Sequence, residues 1–165
     1  MLMKKMKIVF WGDSFINRTG VKDAQKPEKL FSTHYVGNFC ENVMQSLFIA
    51  YPEIDFTFLN MGVSGETTEK LLNNLRQQTE LVKSEITVLL IGHNDLKHGD
   101  LVNFKRNYIR ILDQLGEWET FIIGISILPI ENGGLLNDLI VECNDWMAAE
   151  LYHRQAVYLE DRKSV

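Results

Sequence analysis

At 165 residues, 45% apolar and 24% charged, the chain has the size and composition of one globular domain with a proper core. Its formal charge of -5 argues against nucleic acid or an anionic membrane as the main partner, because both reward clustered lysine and arginine. No stretch approaches the length of a membrane span. The basic start at Lys4, Lys5 and Lys7 leads into an apolar run too short for a signal core, so a soluble, cytoplasmic protein is expected.

Apolar runs and helical patterns alternate along the chain. The stretch 7–14, KIVFWGDS, carries a short apolar run at 8–11 that fits a strand buried on both faces, and Gly12 breaks it. A long loop rich in Lys, Gly and Thr follows to about residue 35, and long loops in compact domains are often functional. Val36, Phe39, Cys40, Val43, Met44, Leu47 and Phe48 then step by three and four, the pattern of an amphipathic helix that Tyr51-Pro52 ends. A second strand is predicted at 55–60, and a helix over 67–81 with Leu71, Leu72 and Leu75 inward and Thr67 or Thr68 as cap.

The third strand, ITVLLIG at 86–92, is apolar throughout, and a third helix runs through Leu101, Phe104, Tyr108, Ile111, Leu112 and Leu115. The fourth strand is read at 121–127, closed by Pro129. A fourth helix is traced by Leu136, Leu139, Ile140, Cys143, Trp146, Met147 and Leu151, and a weaker fifth strand lies at 156–160. Cys40 and Cys143 stand in no metal or redox spacing and fall on apolar helix faces, so both are expected reduced and buried. The alternation implies a parallel sheet with right-handed crossovers: a three-layer α/β/α fold, strand order 2-1-3-4-5, in a single domain over 1–165.

In such a sheet ligands bind beyond the carboxyl ends of the strands. The first strand there delivers Gly12-Asp13-Ser14, the second Asn60-Met61-Gly62-Val63-Ser64-Gly65, the third Gly92-His93-Asn94-Asp95. Acyl transfer needs a hydroxyl to attack and fixed donors where the carbonyl oxygen becomes anionic. Ser14 supplies the hydroxyl. Its own amide, the unobstructed amide of Gly62 and the uncharged side chain of Asn94 are candidate donors. Each motif alone also fits ordinary turn chemistry, with Asp13 bracing its loop, Asn94 and Asp95 capping a turn, and Ser64 a turn hydroxyl or helix cap.

Together, Gly12-Asp13-Ser14, Asn60-x-Gly62-x-Ser64-Gly65 and Gly92-x-Asn94-Asp95 resemble the first three sequence blocks of the SGNH (GDSL) hydrolases. The resemblance extends over most of the chain, in order, spacing and strand context. It implies a flavodoxin-like fold and hydrolysis of small-molecule esters or thioesters without metal or cofactor. It also implies Ser14 as nucleophile and oxyanion donor, with Gly62 and Asn94 as the other donors and Asp13 and Asp95 in support.

The family's fourth element, a late Asp-x-x-His that supplies the general base, has no counterpart before Val165. A serine hydroxyl without a base is a poor nucleophile at neutral pH. His98 and His34 lie in loops on the correct edge and are candidate substitutes. His153 belongs to the opposite edge, and His93, beside Asn94 on an extended segment, is expected to point away. Crossover handedness puts the first helix alone on one face of the sheet and the next three on the other. A C-terminally shortened hydrolase, with part of one sheet face bare and prone to self-association, is therefore expected. The alternative function is a binding domain that keeps the pocket without the base. A flavodoxin-type nucleotide module fits poorly, because Phe15-Ile16-Asn17-Arg18 lacks the residues that cradle phosphate.

Overall fold

The apolar run at 8–11 grows in both directions into β1 (Lys4–Gly12), the strand that both β2 (Ile54–Asn60) and β3 (Ile86–Leu90) flank. The computed structural model describes residues 4–16, 39–78 and 82–160. Outward from β3 come β4 (Phe121–Ile125) and β5 (Val157–Leu159), giving one parallel five-stranded sheet of the expected order 2-1-3-4-5. Between the strands run α1 (Phe39–Ala50), α2 (Thr68–Gln77), α3 (His93–Lys97), α4 (Leu101–Glu117) and α5 (Leu135–His153).

Two apolar clusters divide along the pleat. Val9, Trp11, Leu89 and Ile122 point to the face packed by α2, α4 and α5, where Leu71, Leu75, Phe104, Ile111, Leu115, Met147 and Leu151 meet them. Ile8, Phe10, Val88, Leu90 and Ile125 point to the other face, toward α1 and Cys40. Each helix forms for a legible reason. In α4 the stripe Phe104, Tyr108, Ile111, Leu112 and Leu115 is buried, and Asp100 caps its start by accepting from Asn103 N–H at 3.4 Å. In α2 the cap is Thr67, which accepts from Lys70 N–H at 3.5 Å. Cys40 and Cys143 are free and buried, and burial pushes their thiols up to about 12 and about 11.

The layers differ in cover. Among the described residues the Ile8/Phe10 face carries a single helix, and toward its β5 side Phe121, Val157 and Leu159 are 47%, 37% and 48% exposed. The register places these three with Ile123 and Ile125 on that face, because Ile123 pairs with Val157 and Ile125 with Leu159. No helix among the described residues is long and apolar enough to cross a membrane.

Boundaries depart from the periodicity in three places. β3 and β4 stop at Leu90 and Ile125, two residues before the expected ends. Beyond β4 the chain is held by helix side chains instead of a ladder. Asn144 exchanges two hydrogen bonds with the Ile127 backbone at 2.8 and 3.0 Å, and Asn137 does the same with Ile130 at 2.9 and 2.8 Å. A fifth helix, α3, occupies 93–97 where an extended segment was expected. The expected residues 36 and 79–81 of the first two helices lie outside the described part.

Candidate active site

Three loops leave the carboxyl edge of β1, β2 and β3, and the chain staples them to one another. After β1 the turn Asp13–Ile16 closes with Ile16 N–H donating to Asp13 C=O at 3.2 Å, while Phe15 N–H donates to Asp13 Oδ1 at 3.0 Å. This Asx turn sets Ser14, half-buried, at its crest. Gly12 makes the turn's approach to β3 feasible, since a side chain there would collide with the carbonyl oxygen of Leu90 and with Ile16.

The β2 loop stays bound to β1 past the end of the strand. Met61 N–H donates to Phe10 C=O at 2.8 Å and Val63 N–H to Gly12 C=O at 2.9 Å. Asn60 bridges the same junction with both ends of its amide: Nδ2 donates to Ile16 C=O at 3.0 Å, and Oδ1 accepts from Gly62 N–H at 3.0 Å. The Gly62 amide, expected free, is therefore held by a side chain, and a ligand oxygen would have to take it from Asn60.

Past β3, Gly92 turns the chain with φ +126°, and a Cβ there would lie 2.6 Å from Phe104 and 2.7 Å from Ile127. The short α3 then returns two side chains to the β2 loop. Asn94 Nδ2 donates to Glu66 C=O at 2.8 Å, leaving its second N–H for another acceptor. The Asp95 carboxylate accepts from Thr68 N–H at 3.1 Å to each oxygen and from the Thr68 hydroxyl at 2.5 Å, at the start of α2. The loops of Ser14, Gly62 and Asn94 thus form one hydrogen-bonded cluster. The Ser14 hydroxyl itself has no hydrogen-bond partner among the described residues.

The electrostatics of the cluster are unusual for three acids so close to the surface. Asp13, Glu66 and Asp95 are 0%, 3% and 5% exposed, and burial raises the pKa of all three. For Asp13 the bond from Phe15 N–H and the nearby His93 pull the other way, and Asp95 adds to the rise. For Glu66 Lys70 opposes the rise and Asp13 adds to it. For Asp95 the Thr68 bonds oppose and Asp100 adds. Asp13 Oδ2 is buried with no partner.

The histidines fall differently from expectation. His93 does not point away. On α3 instead of an extended segment, it turns its ring edge-on to Phe15, centroids 5.5 Å apart, and acts electrostatically on Asp13. His98 caps the end of α3 by its backbone and its side chain is exposed. His153 ends α5, against Tyr152. His34 lies outside the described residues. Among the described residues no group of three or more His, Cys, Asp or Glu is arranged to hold a metal ion. A cavity of ≈ 680 Å³ between the ends of α4 and α5, lined by Leu112, Thr120 and Arg154 among others, opens at the amino edge and is remote from these loops.

The residues missed by pattern were Glu66, which joins the loops, and Asn137 with Asn144, which hold 127–130; Asn60 was named in its motif, but not its bridging role. Asn60 stands two residues before Gly62, the spacing of an Asx turn, and Asn137 and Asn144 are seven apart on one helix face.

No family model matches the chain, and no curated protein matches it in sequence. Solved structures share its fold. TesA superposes with a TM-score of 0.71 at 17% identity, over 92% of this chain and 76% of that one. A catalytic mutant of Axe2, an acetylxylan esterase from Geobacillus stearothermophilus, gives 0.75 at 16% identity, over 96% of this chain and 77% of that one. LAE5, an alpha/beta hydrolase enzyme from the metagenome of Lake Arreo, Spain, gives 0.72 at 16%, over 95% and 77%. At 16–17% identity the likeness is one of fold: a parallel five-stranded α/β sheet of order 2-1-3-4-5, the architecture expected from the sequence.

Proposed function

We propose that this chain is a serine ester hydrolase. Ser14 attacks an acyl carbonyl, and the developing oxyanion is received by the Ser14 amide, the Gly62 amide and the Asn94 side chain. Asp13 shapes the turn that presents Ser14, and Asp95 anchors α2 against α3. The observation that carries this reading is the stapling of the three motif loops into one cluster at the edge where parallel sheets bind ligands. Small esters or thioesters are the substrate class this chemistry would take, and one structure of similar fold is described as an acetylxylan esterase. The chemistry needs no cofactor.

The competing reading is a binding domain that keeps the pocket without a base; the Ser14 hydroxyl, which has no hydrogen-bond partner among the described residues, favours it. Turnover of p-nitrophenyl acetate decides between them. Hydrolysis by the native chain that Ser14→Ala abolishes supports the hydrolase; rates equal in the two proteins refute it. Buried, reduced cysteines suit a cytoplasmic setting. The bare stripe of Phe121, Val157 and Leu159 is a surface for self-association.

A further inference from the structure

We propose that His93, oriented by Asp13, is the proton acceptor for Ser14 in this chain. The inference rests on the serine-hydrolase reading.

Four observations carry it. Ser14 lies between Asp13 and Phe15, and His93 engages both neighbours, packing edge-on to the Phe15 ring at 5.5 Å and interacting with the Asp13 charge. Asp13 is wholly buried, with Oδ1 taken by Phe15 N–H and Oδ2 without a partner. His93 Nδ1 is likewise buried without a partner. Finally, His98 is exposed and His153 sits on the opposite edge.

An imidazole N–H and a carboxylate oxygen, both buried and both unpaired, are complementary. A buried polar atom left unpaired is costly, so side-chain rotation that joins them is favoured. Once Nδ1–H donates to Asp13 Oδ2, the tautomer is fixed and Nε2 carries the basic lone pair. A short helix makes this feasible. Consecutive residues project about 100° apart instead of to opposite sides, so His93 and Asn94 can serve the same loop cluster.

The step balances with the residues named. As Ser14 Oγ bonds to the acyl carbon, its proton passes to His93 Nε2 and the carbonyl pair moves onto oxygen. Collapse re-forms the carbonyl and breaks the bond to the leaving alcohol, which takes the proton from His93. Water then gives a proton to His93 and bonds to the acyl carbon. The acid departs and Ser14 Oγ recovers the proton.

The test is the rate of fluorophosphonate labelling at Ser14, followed by intact-protein mass spectrometry on the 165-residue chain. Circular dichroism and Tm verify that each variant is folded. His93→Gln is expected to label about 100-fold or more slowly, the lower bound for loss of a general base. His93→Gly is expected to regain at least about tenfold on adding imidazole, which a merely structural histidine would not allow. Labelling of folded His93→Gln at the native rate overturns the proposal, as does a folded His93→Gly that imidazole leaves slow. So does abolition of labelling by His98→Gln while His93→Gln labels normally. A native chain that never labels at Ser14 overturns the hydrolase reading itself, and the role of His93 with it.

Discussion

Replacing Asp95 by alanine removes the acceptor that, among the described residues, takes two donors at the buried start of α2. Thr68 sends both its N–H and its hydroxyl to that carboxylate, and the two residues are 0% and 5% exposed. Two buried donors left unpaired cost about 1–3 kcal/mol each. Because burial already raises the Asp95 pKa against the pull of Thr68, the ionised group carries a desolvation cost, and the low end applies, about 2 kcal/mol in all. For a chain of this size that lowers Tm by about 4–8 °C. Asp95→Asn keeps the geometry: the amide oxygen takes Thr68 N–H and the amide nitrogen donates to the hydroxyl. Only the charge assistance is lost, about 1 kcal/mol. Urea unfolding and thermal scans of the two variants measure the ranking. An alanine variant within about 0.5 kcal/mol of the native chain, or an asparagine variant worse than the alanine one, would refute the view that this carboxylate fastens α3 to α2.

Asp13→Asn should become progressively more stable than the native chain as pH rises. The folded pKa of Asp13 lies above its ordinary value of 3.8, so its contribution is complete below that pH and is lost as pH climbs through the folded value; the amide suffers no such loss. A difference that grows in favour of Asp13→Asn between pH 3 and 7 in urea titrations is expected, and the opposite slope refutes it. Gly12→Ala should cost about 3 kcal/mol, because its methyl meets the backbone of Leu90 and the side chain of Ile16; an unchanged unfolding midpoint would contradict the close approach of the Ser14 turn to β3. Replacing Phe121 and Leu159 together by serine should reduce self-association in sedimentation experiments. A native chain that stays monomeric at the highest attainable concentration rules that surface out.

Strand order was legible because apolar runs and crossover handedness leave few arrangements, and the glycines at 12 and 92 marked where two of the three loops begin. The placing of α1 on one face and of α2, α4 and α5 on the other followed from the same handedness. What stayed hidden was short or lateral. HNDLK has one apolar residue, Leu96, so α3 shows no periodicity, and reading it as extended turned His93 the wrong way. The capture of Gly62 N–H by Asn60 was written in their spacing, yet an unhindered glycine amide invites the opposite expectation. The paired acceptors of Asn137 and Asn144 belong to α5 but act on a segment elsewhere in the chain, a relation no local pattern carries.

The account stands or falls on whether the serine at the crest of the Asx turn is the reactive one. Peptide mapping after exposure to a fluorophosphonate answers this directly. The adduct is predicted on Ser14, to the exclusion of Ser64 and Ser126, and is lost on prior denaturation. An adduct on another serine, or equal labelling of native and unfolded chain, would contradict it.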